Sequence, residues 1–147
     1  MTEDIFESVY DFINTCPLVG SDMYFNFIDQ GNTGTNTSLL PVSYGELIKE
    51  YADGGKLRKV SFEIRQVKPL AQNSNTLQNV EQIQLVQKFM NWIKEQDENK
   101  NYPDFGEGTT IEKMGFAKGV VMPALIAFYD NSALYGFPFE ITYTERN

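Results

Sequence analysis

Apolar positions along the chain fall into two helical stripes and several alternating runs. Ile5, Val9, Phe12 and Ile13 recur at helical spacing with Phe6 and Tyr10 beside them, and predict a helix over residues 4–14. Thr2 or Asp4 stands where a cap belongs, and Pro17 forbids continuation. A longer stripe of Leu77, Val80, Ile83, Val86, Met90 and Ile93, broadened by Phe89, predicts a second helix over 77–96. Asn75 or Thr76 suits its cap. Period-two alternation marks strands at 23–29 and 59–67. In the second, Val60, Phe62 and Ile64 oppose Ser61, Glu63 and Arg65. Shorter strands are expected at 111–116 and 124–129, before a turn at Asp130-Asn131-Ser132. In the final strand Tyr135, Phe137, Phe139, Ile141 and Tyr143 share one face. That row is wanted for the core, or in part for a neighbouring subunit. Pro138 sits inside this strand and cannot donate to a ladder, so the strand is expected at a sheet edge or bulged there.

The connections follow from turn chemistry. Residues 44–52 contain good helix formers, but Asp53-Gly54-Gly55 precedes a clear strand and favours a hairpin whose first arm ends at Tyr51 or Ala52. The run from Gln30 to Ser38 reads as a polar, exposed loop. Residues 97–110, with Pro103, Gly106 and Gly108, read as a second loop that turns the chain back from the helix to the sheet. A length of 147 residues suits one domain spanning 1–147. The expected fold class is α+β, a mostly antiparallel sheet with two principal helices packed on one face.

Chemistry narrows the function more than composition does. The chain has no histidine, which removes Ser-His and Cys-His nucleophile systems and the commonest transition-metal ligand. Its single cysteine, Cys16, reads as a small buried apolar residue at the end of the first helix, and no intrachain disulfide is possible. No phosphate loop or paired metal spacing is present, and the acidic residues are scattered. A non-enzymatic protein without cofactor or metal is therefore expected. Apolar runs are too short for a membrane span. The acidic first residues lack the basic region of a signal peptide, so synthesis in a cytoplasm is expected.

Charge is uneven. Residues 1–55 carry nine acids against Lys49, a net of −8. Residues 56–68 carry Lys56, Arg58, Lys59, Arg65 and Lys68 against Glu63, a net of +4. The remainder carries ten acids and six bases, a net of −4. A nucleic-acid reader is usually basic overall, whereas this chain carries −8 in total. The five cations are either the solvated face of one strand or a patch that docks on an acidic surface of a neighbouring subunit. They are the candidate subunit-interface residues, because a head-to-tail ring requires two complementary but different surfaces.

Two segments resemble a known family. One is Lys49-Glu50-Tyr51-Ala52-Asp53-Gly54-Gly55-Lys56-Leu57-Arg58-Lys59-Val60-Ser61-Phe62-Glu63-Ile64-Arg65. The other joins Phe89-Met90-Asn91-Trp92-Ile93-Lys94-Glu95-Gln96 to Tyr102-Pro103-Asp104-Phe105-Gly106-Glu107-Gly108-Thr109-Thr110-Ile111-Glu112-Lys113-Met114. Both are similar to the minor capsid proteins of tailed phages of Gram-positive bacteria, thought to act as tail terminators or tail-completion proteins. The likeness lies in the order of a D-G-G hairpin, a helix ending W-I-x-x-Q and a P-x-F-x-x-G loop, over roughly residues 45–115. In it Trp92 would anchor the helix on the sheet. Residues 116–147 depart from the family pattern, which leads one to expect a Gln-x-Gln-like close.

The resemblance implies a virion protein at the head–tail junction, assembled in the host bacterial cytoplasm. It implies a homo-oligomeric ring, usually of six copies, that ends tube polymerisation. Its partners would be the tail tube protein and the head–tail connector or stopper protein, with no membrane. Genome DNA would pass through the lumen without specific binding, which suits an acidic protein. Two other readings of the chain are open. One is a neck, head-completion or tail tube subunit, with the loop at 30–43 as a pairing arm. The other is a small ligand-binding module with Tyr24, Tyr135 or Tyr143 as stacking residues.

Overall fold

In the computed structural model, residues 5–19, 22–25, 36–69, 76–128 and 132–146 are described. Helix α1 (Ile5–Ile13) and strands β1 (Asp22–Phe25), β2 (Asn36–Glu50) and β3 (Lys56–Pro69) come first. Helix α2 (Thr76–Glu98) and strands β4 (Thr109–Gly115), β5 (Ala124–Phe128) and β6 (Ser132–Glu145) follow. The six strands form one sheet in the order β1-β2-β3-β6-β4, with β5 also paired to β6. All pairings are antiparallel except β1 with β2. The class is α+β, as the sequence pattern predicts.

Both helices cover the same face. Val60, Phe62 and Ile64 of β3 pair in register with Ile141, Phe139 and Phe137 of β6, and all six are buried. Phe6 of α1 meets Phe62 at 5.7 Å, and Phe89 of α2 meets Phe137 at the same separation, both edge to face. Such contacts add about 1 kcal/mol each beyond simple burial. Val86, Phe89, Met90 and Ile93 are the buried part of the α2 stripe, whereas Val80 is exposed. Thr76 opens α2, while its side chain, that of Leu77, and the other proposed caps Thr2, Asp4 and Asn75 lie outside the described residues. Tyr135, Phe137, Phe139, Ile141 and Tyr143 are all buried, so the aromatic-rich row of β6 belongs to the core.

The hairpin closes as expected. The Tyr51 amide donates to the Gly55 carbonyl at 2.7 Å, the Gly55 amide donates to Asp53 Oδ1 at 2.9 Å, and Gly54 takes a φ of 89° that a side chain would resist.

Three expectations change. Residues 36–43 are strand, not loop: Asn36, Thr37 and Ser38 are buried between β1 and β3. The Thr37 side chain is satisfied internally. The Thr37 hydroxyl donates to the Val19 carbonyl at 2.6 Å, and the Gln66 amide donates to Thr37 Oγ1 and to the Leu18 carbonyl. Residues 26–35, the rest of that predicted loop and the end of the strand predicted at 23–29, lie outside the described residues.

Strand β6, moreover, is neither at an edge nor bulged against β3, since its register with β3 runs unbroken from Ser132 to Glu145. On its other side β5 pairs as far as Gly136 and β4 begins at Glu140. Pro138 falls in the interval between them, where a missing donor breaks no ladder.

Trp92, finally, packs sideways on Phe12 of α1 at 5.4 Å and on Phe89 at 6.5 Å, joining the helices to each other rather than α2 to the sheet.

Helix α2 ends in a Schellman motif. The Lys100 amide donates to the Asp97 carbonyl and the Asn101 amide to that of Gln96, with Lys100 itself at a φ of 55°.

Candidate interaction surfaces

The five basic residues of β3 do not form one surface. Alternation along the strand sends Lys56, Arg58 and Lys68 towards the helix-covered face and Lys59 and Arg65 to the opposite one. Arg58 Nε lies 3.4 Å from Glu145, and its Nη1 donates to the Gly45 carbonyl at 2.7 Å. Lys59 Nζ lies 3.6 Å from Glu46 and 3.5 Å from Glu140, and Arg65 Nε lies 3.0 Å from Glu63. Lys56 is half-buried and stands in register between Glu50 of β2 and Glu145 of β6. Lys68 is 3% exposed, and burial pushes its pKa down to about 8. The strand that looks most basic in sequence is thus largely neutralised by carboxylates from β2, β6 and β3 itself. Strand pairing brought those acids in, and linear charge counting does not see them.

Exposed apolar side chains concentrate at the two edges of the sheet. From Leu40 onward the described neighbour of β2 is β3 alone, leaving its other edge open. Along this stretch Val42 (67% exposed), Tyr44, Leu47 and Ile48 face solvent. Across the sheet, Leu125, Ile126 and Phe128 (66% exposed) of β5 do the same, and exposed Val121 and Met122 precede them across Pro123 and Ala124. Burial of such residues is worth about 1.5–3 kcal/mol per large side chain, and large contiguous exposed apolar patches are a general signature of contact surfaces. Nothing in the sequence pattern singled out these edge residues.

Chemistry-bearing groups are few. Cys16 is buried, and desolvation pushes its thiol up to about 11, which keeps it neutral. Among the described residues no group of three or more acidic or cysteine side chains is placed to hold a metal ion. No helix, among the described residues, is long and apolar enough to cross a membrane. Of the tyrosines considered for ligand stacking, Tyr135 and Tyr143 are buried, with Tyr143 edge-on to Phe105 at 5.3 Å, and Tyr24 is half-buried.

No protein-family model matches the chain. No curated protein matches it. A solved structure that bears no functional name is similar over 96% of this chain and 89% of its own, at 12% identity and a TM-score of 0.42. A likeness of that degree carries no argument about function.

A shallow groove of about 400 Å³ lies between α2 and the segment after β4. Lys94, Lys113 and Lys118 line it with Gln87 and Asn91. A separate cleft of about 460 Å³ beside α1 is lined by Glu7, Ser8, Asp11 and Asp104. The Ser8 hydroxyl donates to the Asp104 carbonyl there and fixes the loop against the helix.

Proposed function

We propose that this chain is a structural subunit of a phage particle, a tail terminator that forms a ring on the end of the tail tube. The ring stops tube polymerisation and presents a surface to the head–tail connector, while genome DNA passes through the lumen unbound. The observation that supports this reading is the pair of apolar edges, β2 with Val42, Leu47 and Ile48 and β5 with Leu125 and Phe128. They lie on opposite sides of one sheet and differ in sequence, so a contact between them is head-to-tail. Such contacts generate rings when the rotation closes. The middle of the chain adds the resemblance to tail-terminator proteins, and the net charge of −8 disfavours retention of phosphate in a lumen.

Light scattering and electron microscopy of the purified protein, alone and with tail tubes, test the proposal. Closed rings that cap tubes are the expected result. A strict monomer that ignores tube ends sinks it. Labelling intact particles separates a terminator from a neck or tube subunit.

A further inference from the structure

We infer that the lysine groove beside α2 receives the acidic flank of α1 from a second copy, and so sets the order of contacts between subunits. This rests on the ring reading above and names an interface for it.

Four of the chain's cations, Arg58, Lys59, Arg65 and Arg146, are already held by carboxylates. Lys94, Lys113 and Lys118 make no ion pair among the described residues, yet three different elements bring them to one groove: α2, β4 and the loop after it. One carboxylate, Asp97, also lines the groove, its Oδ1 accepting the Tyr102 hydroxyl and the Met114 amide, so three cations stand against one acid there. Asp97 relieves that gathering of like charges only in part, and the groove stays basic on a protein of net charge −8. An acidic surface supplies the remaining relief.

The same chain carries one of suitable form. Helix α1 contains Glu7 and Asp11 one turn apart and no basic residue, and Asp104 extends the acidic side across the neighbouring loop. The two surfaces cannot meet within one molecule. Trp92 of α2 packs on Phe12 of α1, whereas Gln87 and Lys94 fall on the other flank of the buried α2 stripe. Basic groove and acidic flank therefore sit to either side of α2 and share no residue. That arrangement is self-complementary only between copies, head to tail. Gln87 and Asn91 add neutral hydrogen-bonding groups along the groove, and exposed Val121 continues it towards β5.

Charge reversal on each side tests the inference. Expected is loss of self-association for K94E/K113E/K118E alone and for E7K/D11K alone, since each then opposes like charges. An equimolar mixture of the two restores association, because each variant's groove then complements the other's α1. Sedimentation velocity reads both results, with circular dichroism to confirm that each variant is folded. The wild-type protein supplies a check without mutation: association weakens by about tenfold or more between low and high salt, as screening of exposed charges requires. Salt-independent association, a reversal variant that assembles like wild type, or a folded pair that fails to associate on mixing overturns the groove contact. If the wild type still forms rings in those cases, the ring reading stands without it. A wild-type chain that stays monomeric overturns both.

Discussion

The carboxylate of Asp97 accepts the backbone N–H of Met114 at 2.9 Å, fastening the last turn of α2 to the edge strand β4. The same oxygen accepts the Tyr102 hydroxyl at 2.8 Å, so one side chain holds the helix end, the returning loop and the sheet together. A hydrogen bond to a charged acceptor contributes about 1.5–3 kcal/mol. Asp97→Ala is therefore expected to destabilise the fold by about 2–3 kcal/mol in urea unfolding. Asp97→Asn retains an acceptor oxygen and should lose about half as much. Equal losses for the two variants would contradict the bridging role.

Gly108 is the second pin of the same loop. Its φ is 77°, its carbonyl accepts the Arg146 amide at 2.7 Å, and an added Cβ would lie 2.6 Å from the Arg146 carbonyl oxygen. Backbone on both sides leaves no flexible group to move aside. Gly108→Ala is expected to cost about 2–4 kcal/mol, the sum of left-handed strain and displacement of the C-terminal strand. A thermal midpoint within a degree of wild type would refute it.

Lys100 offers a gain instead. It occupies the left-handed position of the α2 Schellman motif that glycine fills at lowest cost. Lys100→Gly should stabilise the protein by about 1 kcal/mol, and chemical unfolding checks the sign.

Burial of Lys68 makes stability depend on pH. Its folded pKa is near 8, against an ordinary value of 10.5 for the unfolded chain. Between those values the unfolded state holds more protons than the folded state, so stability rises with pH. The penalty is present in full below pH 8 and is relieved on going to pH 10, by an amount on the order of 2 kcal/mol. The buried tyrosines act in the other direction only above their unfolded value of 10.0, since desolvation raises Tyr135 and Tyr143. Urea titrations at pH 7.5 and 9.5 measure the rise, and Lys68→Met should flatten it.

At the edges, Leu47→Ser and Phe128→Ser remove exposed apolar surface without opening the core. Each should leave unfolding free energy within about 0.5 kcal/mol of wild type. Self-association should fall with either substitution, most clearly with both. Destabilisation without a change in association would show that these side chains serve the monomer.

Much of this architecture can be read from the amino acids because periodicity survives where one face of an element is buried. Val60, Phe62 and Ile64 announce β3, and Val86, Phe89, Met90 and Ile93 announce α2. The start of β2 escapes because Asn36, Thr37 and Ser38 are polar yet buried, with Thr37 accepting from Gln66 and donating to Val19, and polarity alone reads as exposure. The central place of β6 escapes because a proline excludes a ladder only where a neighbour needs its N–H. The lysine groove escapes for a different reason. Lys94, Lys113 and Lys118 are spread over 25 residues of sequence and share a site only once the loop after β4 folds against α2.

The interval at Pro138 gives β6 the form of a spine with two separate ribs on one side. Strand β5, five residues long, ends at its own boundary and shares no ladder with β4. Nothing in the pairing of β3, β6 and β4 depends on it, so its amides are expected to exchange with solvent through a local opening rather than through global unfolding. The rib carrying Leu125 and Phe128 is thus the part of the sheet that can adjust its angle to a neighbour without disturbing the aromatic core beneath α2.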